Sequence, residues 1–337
     1  MVQKQKKYAA LALFSGGLDS MLAVKIIQQQ DIDVIPVCFV SPFFSAKKAL
    51  ESGKQLGIFV NIIILDEEYL EIVKDPKHGY GKNMNPCIDC HAFMYKKLGD
   101  MMTKFGADFL ISGEVLGQRP KSQNLTALNT VAKQSGYKDV IVRPLSQKLL
   151  PDTKPITEGW VDKAQLLDLQ GRNRTPQMQI AKKFDITDYP SPAGGCLLTD
   201  PGYSKRLRDL KIHDTFEERF ITFLSVGRHF RLDDNTKLIL GRNKHDNEYM
   251  SKLLSQNKDG NAVIMQVREI PGPMGIIQTN KENIPQEIFS LAAEILVRYT
   301  SKVENKAIVL CNYPDGRIDK FVIDKRMDGF EKGLRLN

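Results

Sequence analysis

A chain of 337 residues with 42% hydrophobic and 26% charged composition is long enough for two domains and has the make-up of a soluble globular protein. Its net charge of +8 favours polyanionic partners, such as nucleic acid. No apolar run approaches the ~20 residues needed to cross a bilayer. The basic start at residues 1–7 leads into no signal-peptide pattern, and five cysteines are too few for a disulfide scaffold. A cytoplasmic protein without membrane contact is expected.

In chain order, short apolar runs at 9–14, 34–40, 59–65, 108–111 and 140–142 predict strands. Amphipathic stretches at 21–29, 46–56, 92–104 and 125–134 predict helices between them. This rhythm implies an α/β fold, a Rossmann-like parallel sheet with helices on both faces. Ligands of such sheets sit beyond the carboxyl ends of the strands, where the loops after residues 14, 40 and 65 would converge. Asp66, at the end of the third run, reads as a helix N-cap.

Between the first strand and helix lies Ser15-Gly16-Gly17-Leu18-Asp19-Ser20. A strand that breaks into Gly-Gly and enters a helix leaves unpaired N–H groups at the positive end of the helix dipole, which suits an anion. Gly16 and Gly17 allow close approach of phosphate oxygens, and Ser15 and Ser20 add hydroxyls. Asp19 beside phosphates makes sense when a divalent cation lies between them. The Gly-Lys-Ser/Thr ending of a Walker A loop is absent.

This string resembles the signature of the PP-loop ATP pyrophosphatases, the adenine nucleotide alpha hydrolase-like fold, which adenylate a carbonyl oxygen and release pyrophosphate. The resemblance implies that Ser15, Gly16, Gly17, Asp19 and Ser20 hold the pyrophosphate part of ATP, with Mg2+ nearby and Asp19 in the reaction.

Cys87 and Cys90 form a Cys-x-x-Cys just before the predicted helix at 92–104, and Cys196 follows Gly195 far downstream. On residue type alone a redox dithiol, half of a zinc site with His91 as a further ligand, part of an iron–sulfur site and incidental thiols all stay open. A helix N-terminus is expected to lower the thiol pKa. Asn85-Pro86-x-x-x-Cys90 with the downstream Gly195-Cys196 resembles the paired cysteines of tRNA 2-thiouridylases, and in that likeness Cys90 and Cys196 fall on the catalytic pair. With Cys87 as a third, the set resembles cluster-dependent tRNA thiolation enzymes, which implies that Cys87, Cys90 and Cys196 ligate a 4Fe–4S cluster. Ser112-Gly113-Glu114-Val115-Leu116-Gly117-Gln118 resembles a string of tRNA 4-thiouridine synthetases. Neither an N-terminal tRNA-binding region nor a rhodanese domain of those synthetases is expected here, so sulfide or an external persulfide carrier would donate sulfur.

Lys148, Arg119 and Lys121 are candidates for neutralising phosphates. Arg172 and Arg174 suit either a tRNA backbone or a surface cluster at a helix start. His78 reads as a solvated loop residue, Trp160 as a packing anchor, and Cys38 and Cys311 as inert buried thiols. A proline-bearing irregular segment covers 143–162, and 189–196 is rich in turn residues.

From about Phe223 the texture changes to short strands at 237–240, 262–267, 275–278, 307–310 and 320–323 with a helix at 286–300, a second, smaller α+β domain of mixed or antiparallel pairing. Gly241-Arg242-Asn243, Asn247, Pro271-Gly272 and the alanine-bearing helix resemble the NFACT-R domain, a module associated with RNA. Arg242, Lys244 and Arg268 are then the RNA-binding candidates, with His245 beside them; the base-stacking aromatics of an RRM are missing. The expected division is a PP-loop thiolation domain at 1–205, a linker at 206–224 and the NFACT-R-like domain at 225–337. The implied activity is ATP-dependent tRNA thiolation giving 4-thiouridine or 2-thiouridine, with a homodimer left open. Alternatives are a PP-loop sulfurtransferase or ligase for a small molecule, and a non-catalytic RNA-binding protein with a nucleotide-sensing loop.

Overall fold

The computed structural model describes residues 7–191, 195–256 and 262–336. Pro192, Ala193 and Gly194 of the turn-rich stretch lie outside them. The chain divides into two compact units, 1–196 and 197–337.

The first unit begins with strand β1 (Ala9–Leu13) and helix α1 (Leu18–Gln28), followed by β2 (Asp33–Val40), α2 (Lys47–Leu56), β3 (Asn61–Ile64) and α3 (Glu67–Lys74). Helix α4 (Cys87–Asp100) leads to β4 (Phe109–Ser112), and α5 (Leu125–Ser135) to β5 (Ile141–Val142). The order is β3-β2-β1-β4-β5 with every pairing parallel. The strand order reverses at β1, so its carboxyl end and that of β4 flank the crevice where ligands of such sheets bind. Apolar β1 suits a strand covered on both faces: Ala10, Ala12, Phe109 and Ile111 share one core cluster with Leu18, Met21, Leu22 and Ile26 of α1. A later helix, α6 (Thr175–Lys183), packs on α1. Trp160 stacks on Tyr8 at 5.2 Å, the anchor role expected of it.

The second unit has helix α7 (Pro201–Ile212), strands β6 (Arg228–Arg231) and β7 (Thr236–Leu240), helix α8 (Lys244–Gln256), β8 (Val263–Val267), β9 (Gly275–Thr279), helix α9 (Gln286–Arg298), β10 (Lys306–Asn312) and β11 (Ile318–Asp324). Its sheet order is β11-β10-β8-β9-β7-β6, and all pairings are antiparallel. Side-chain alternation divides β7 between two cores. Leu238 and Leu240 join Phe289, Ala293 and Leu296 of α9, whereas Ile239 joins Met250 and Leu253 of α8.

Three expectations change. Helix α4 begins at Cys87, with Cys90 N donating to Pro86 O at 2.8 Å, so the Cys-x-x-Cys is the first helical turn rather than a loop before it. The segment 206–224, read as a linker, continues α7 and carries a short helix at Glu218–Ile221 whose Phe220 and Ile221 are buried. Helix α8 was hidden because it buries only Asp246, Met250 and Leu253, too thin a stripe to stand out. Among the described residues no helix is long and apolar enough to cross a membrane.

Candidate active site

The phosphate loop is shaped by backbone rather than by side-chain caps. Gly16 has φ +73°, and a Cβ there would collide with the Lys48 backbone on α2, so only glycine fits. Ser52 Oγ donates to Gly16 O at 2.7 Å and fixes the loop on α2. Gly17 differs: a Cβ there would meet only Ser15 Oγ at 3.5 Å, which leaves its open side for a ligand. Gly17 caps α1 with no side-chain hydrogen bond, so the first N–H groups keep their capacity for an anion. Ser20 Oγ donates to Gly17 O at 2.8 Å, so this hydroxyl firms the loop.

Asp19 receives Gln118 Nε2 on Oδ2 at 3.0 Å, while its buried Oδ1 has no hydrogen-bond partner. Burial pushes its carboxyl above the usual range, against the opposing pull of Gln118, Arg174 and Arg119. One orphaned carboxylate oxygen beside a phosphate cradle fits Mg2+, which is usually held by one or two carboxylates with phosphates and waters supplying the rest.

The segment after β4 closes on this loop. A Cβ on Gly113 would strike the backbone of Asp19 and Ser20. The next residue, Glu114, is buried and accepts from Arg143 Nε at 2.8 Å, Tyr95 OH at 2.9 Å and His91 Nδ1 at 2.8 Å. Arg143 and His91 hold its carboxyl well below the ordinary range despite the desolvation that opposes them. His91 follows Cys90, so Glu114 links the thiol helix to the phosphate loop.

Around the thiols, Tyr69 OH lies 3.2 Å from Cys90 Sγ, and Asn85 Nδ2 donates to Cys87 Sγ at 3.1 Å. Phe43, Phe44 and Phe93 pack round Tyr69 with ring centroids 6.2, 5.8 and 5.8 Å away. Asp89, between the two cysteines, accepts from His78 N at 2.9 Å and lies 2.8 Å from its ring Nδ1; His78 is therefore a tie between loop and helix rather than a solvated residue. Cys196 and Cys87 both lie within electrostatic reach of Cys90. Burial pushes the Cys90 thiol far up, and charge on its two sulfur neighbours would push it further. At Cys90 the lowering expected of a helix start is overridden by desolvation. Cys38 and Cys311 are pushed up to about 11 and about 12 by burial, as suits inert thiols.

Among the described residues no three His, Cys, Asp or Glu side chains are grouped as ligands of a metal ion. Two thiols within electrostatic reach of a third are a donor set of the soft type that iron–sulfur centres use, and a metal bound there would deprotonate a thiol that burial otherwise keeps neutral. Of the candidate cations, Arg119 and Arg174 stand near Asp19, Lys121 Nζ donates to Tyr80 O, and Lys148 faces Asp162.

In the second unit Arg242, Lys244 and Arg268 are exposed, and each already has a carboxylate. Arg242 Nε lies 2.6 Å from Asp246, Lys244 3.7 Å from Glu248, and Arg268 2.8 Å from Glu269. Asn247 explains the glycine and proline-glycine pattern: it donates to Gly272 O at 3.1 Å and accepts from Met274 N at 3.1 Å, and a Cβ on Gly241 would collide with it.

Two family models match the chain, one in each unit. Residues 5–148 match the family model described as thiamine biosynthesis protein (ThiI), and residues 227–327 match that of the NFACT protein RNA binding domain. The chain joins a ThiI-family PP-loop domain to an NFACT-family domain. The chain is 26% identical over 147 residues to a tRNA-specific 2-thiouridylase of Trichlorobacter lovleyi, covering 40% of this chain and 42% of that one. It is 29% identical over 190 residues to a probable tRNA sulfurtransferase of Thermococcus kodakarensis, covering 53% and 44%. The chain thus spans less than half the length of these two relatives. A solved 4-thiouridine synthetase–RNA complex with bound ATP is similar at 20% identity and TM-score 0.39, covering 58% of this chain and 46% of that one.

Proposed function

We propose that this ThiI-family, NFACT-bearing chain thiolates tRNA at the expense of ATP, converting a uridine to 4-thiouridine or 2-thiouridine. One observation carries the reading: the phosphate loop and the thiols are stitched together at one end of the parallel sheet. Cys90 leads to His91, His91 bonds Glu114, and Gly113 beside it packs on Asp19. On the other side a Cβ at Gly195, next to Cys196, would lie 3.6 Å from Lys48 Nζ, and the Lys48 backbone packs on Gly16.

A uracil carbonyl is a poor electrophile, so its oxygen first bonds the α-phosphorus of ATP while the bond to the pyrophosphate bridge breaks. A soft sulfur nucleophile from an external donor then attacks the same carbon, and AMP leaves with the former carbonyl oxygen. The loop from Ser15 to Ser20 holds the phosphates through the unpaired N–H groups of α1, and Asp19 would hold Mg2+. Cys87, Cys90 and Cys196 would hold a 4Fe–4S cluster, which supplies iron to bind and activate sulfide. The aromatic wall of Phe43, Phe44, Tyr69 and Phe93 keeps water from the sulfur site, and positioning of base against phosphorus supplies much of the rate. The exposed cations of the second unit supply sequence-independent contact to the tRNA backbone.

The test is anaerobic incubation of the chain with an unmodified tRNA transcript, ATP, Mg2+ and sulfide, followed by mass spectrometry of the nucleosides. A uridine heavier by the exchange of oxygen for sulfur, together with AMP and pyrophosphate, is expected. Pyrophosphate release that ignores tRNA but follows a small-molecule acceptor would overturn the reading.

A further inference from the structure

Beside the phosphate loop a set of buried polar atoms has no use in the scheme above. Gln177, on α6, is 1% exposed and its amide lies beside Asp19, yet neither its Nε2 nor its Oε1 makes a well-formed hydrogen bond. Arg174 Nε, one turn earlier, is buried and equally unmatched, as is Gln118 Oε1; they lie beside Asp19, whose own free oxygen is already assigned to Mg2+. Leaving a buried polar group unpaired is costly, so several in one place argue for a ligand that completes them.

The fold brings these atoms together deliberately. Leu116, in the segment after β4, forms a parallel bridge with Gln170, and Gly171 N donates to Leu116 O at 2.7 Å. That pairing ties the entry of α6 to the segment carrying Gly113 and Gln118, and α6 itself packs on α1. Arg174, Arg119 and the Gln177 amide all stand near Asp19, and Gln118, on the tied segment, donates to its Oδ2 at 3.0 Å. The unmatched donors, Arg174 Nε and Gln177 Nε2, call for a group with several acceptor oxygens, whereas the unmatched oxygens of Gln118 and Gln177 suit water or a cation's hydration shell beside it. The phosphate loop beneath selects which anion.

We propose that Arg174 and Gln177 clamp the β- and γ-phosphates of ATP and hold the pyrophosphate as it leaves. The inference rests on the nucleotide reading of the loop. When the carbonyl oxygen bonds the α-phosphorus, the electron pair of the broken α–β bridge passes to the pyrophosphate. Arg174 Nε and Gln177 Nε2 lie where that added charge develops, fixed in advance by α6. The Arg172-Asn173-Arg174 cluster is thereby divided: Arg172 stays exposed, while Arg174 serves the nucleotide.

The experiment measures equilibrium binding of ATP, inorganic pyrophosphate and AMP, with Mg2+ present, to the full chain and its Arg174→Ala, Arg174→Lys and Gln177→Ala variants. Arg174→Ala should weaken ATP and pyrophosphate by roughly 10- to 100-fold, the range for a charged hydrogen bond. Gln177→Ala should weaken both by roughly 3- to 10-fold. Arg174→Lys should recover part of the loss, and AMP should stay within about twofold throughout, which also shows that the variants are folded. Equal losses for AMP and ATP, or no loss at all, overturn the clamp while leaving nucleotide binding in place. A wild-type chain that binds neither ATP nor AMP overturns the nucleotide reading and the clamp with it.

Discussion

His91 Nδ1 lies 2.8 Å from Glu114 Oε1, and this contact couples the helix that carries Cys87 and Cys90 to the segment that closes on the phosphate loop. Because Arg143 shares the same carboxylate, both neighbours depend on one buried negative charge.

Glu114→Gln leaves Arg143 without its counter-charge in the interior and should cost about 3 kcal/mol of stability at neutral pH. A carboxyl held below its usual value stabilises the fold above its unfolded pKa near 4.5, and that contribution fades as pH falls from there. Urea midpoints of wild type and variant should therefore lie far apart at pH 7 and converge in acid. A constant gap across that range would mean the charge is not what Glu114 contributes.

Three glycines around the phosphate loop should separate folding from binding. Gly16→Ala and Gly113→Ala drive a Cβ into backbone, so both should lower the melting temperature along with ATP affinity. Gly17→Ala meets only a hydroxyl at 3.5 Å and should melt like the wild type while losing at least about tenfold in ATP binding, a change of about 1.4 kcal/mol. Calorimetry paired with nucleotide titration checks both halves.

Asp19 is held in its charged form at some cost, since burial raises its carboxyl. For an acid shifted upward, the penalty is present at pH 7 and is relieved as the group protonates in acid. Asp19→Asn should accordingly melt at the wild-type temperature or slightly above it without ligand, yet abolish ATP-dependent pyrophosphate release. A variant that is both less stable and active would contradict the assignment.

The sulfur set is tested by iron and acid-labile sulfide measured after anaerobic purification. Replacing Cys87, Cys90 or Cys196 by Ala should each remove most of the bound iron, whereas Cys38→Ala, remote in chemistry and buried in β2, should not. An iron-free wild type with full thiolation activity would end the cluster proposal.

RNA affinity should fall with rising salt, and Lys244→Ala or Arg268→Ala should each reduce the slope of log affinity against log salt by about 1 if it meets a phosphate. The carboxylates beside these cations are exposed partners whose ion pairs contribute little and yield readily. An unchanged slope would move the RNA interface elsewhere.

Much of this architecture is written in local pattern. The apolar run ending at Phe14, the glycines and the return to helical spacing at Leu18 specify strand, turn and helix from steric and hydrogen-bonding rules that act over a few residues. The short strand read at 237–240 is likewise present as β7, although that its two faces feed two cores is set by the helices packed on either side. Helix α8 escaped because few of its residues face inward, and the true start of α4 because Cys-x-x-Cys carries no periodicity of its own.

The sequence by itself determined the parallel sheet, the anion-binding turn after its first strand, the presence of three candidate sulfurs and the change of texture in the back half. Only the tertiary structure decided that Cys196 comes within electrostatic reach of Cys90, that Glu114 binds both His91 and Arg143, and that Arg174 and Gln177 come near Asp19. The reason is physical: strand and helix follow from neighbours in the chain, whereas a carboxylate or a thiol takes its properties from whatever residues, near or far in sequence, folding brings into the same dry space.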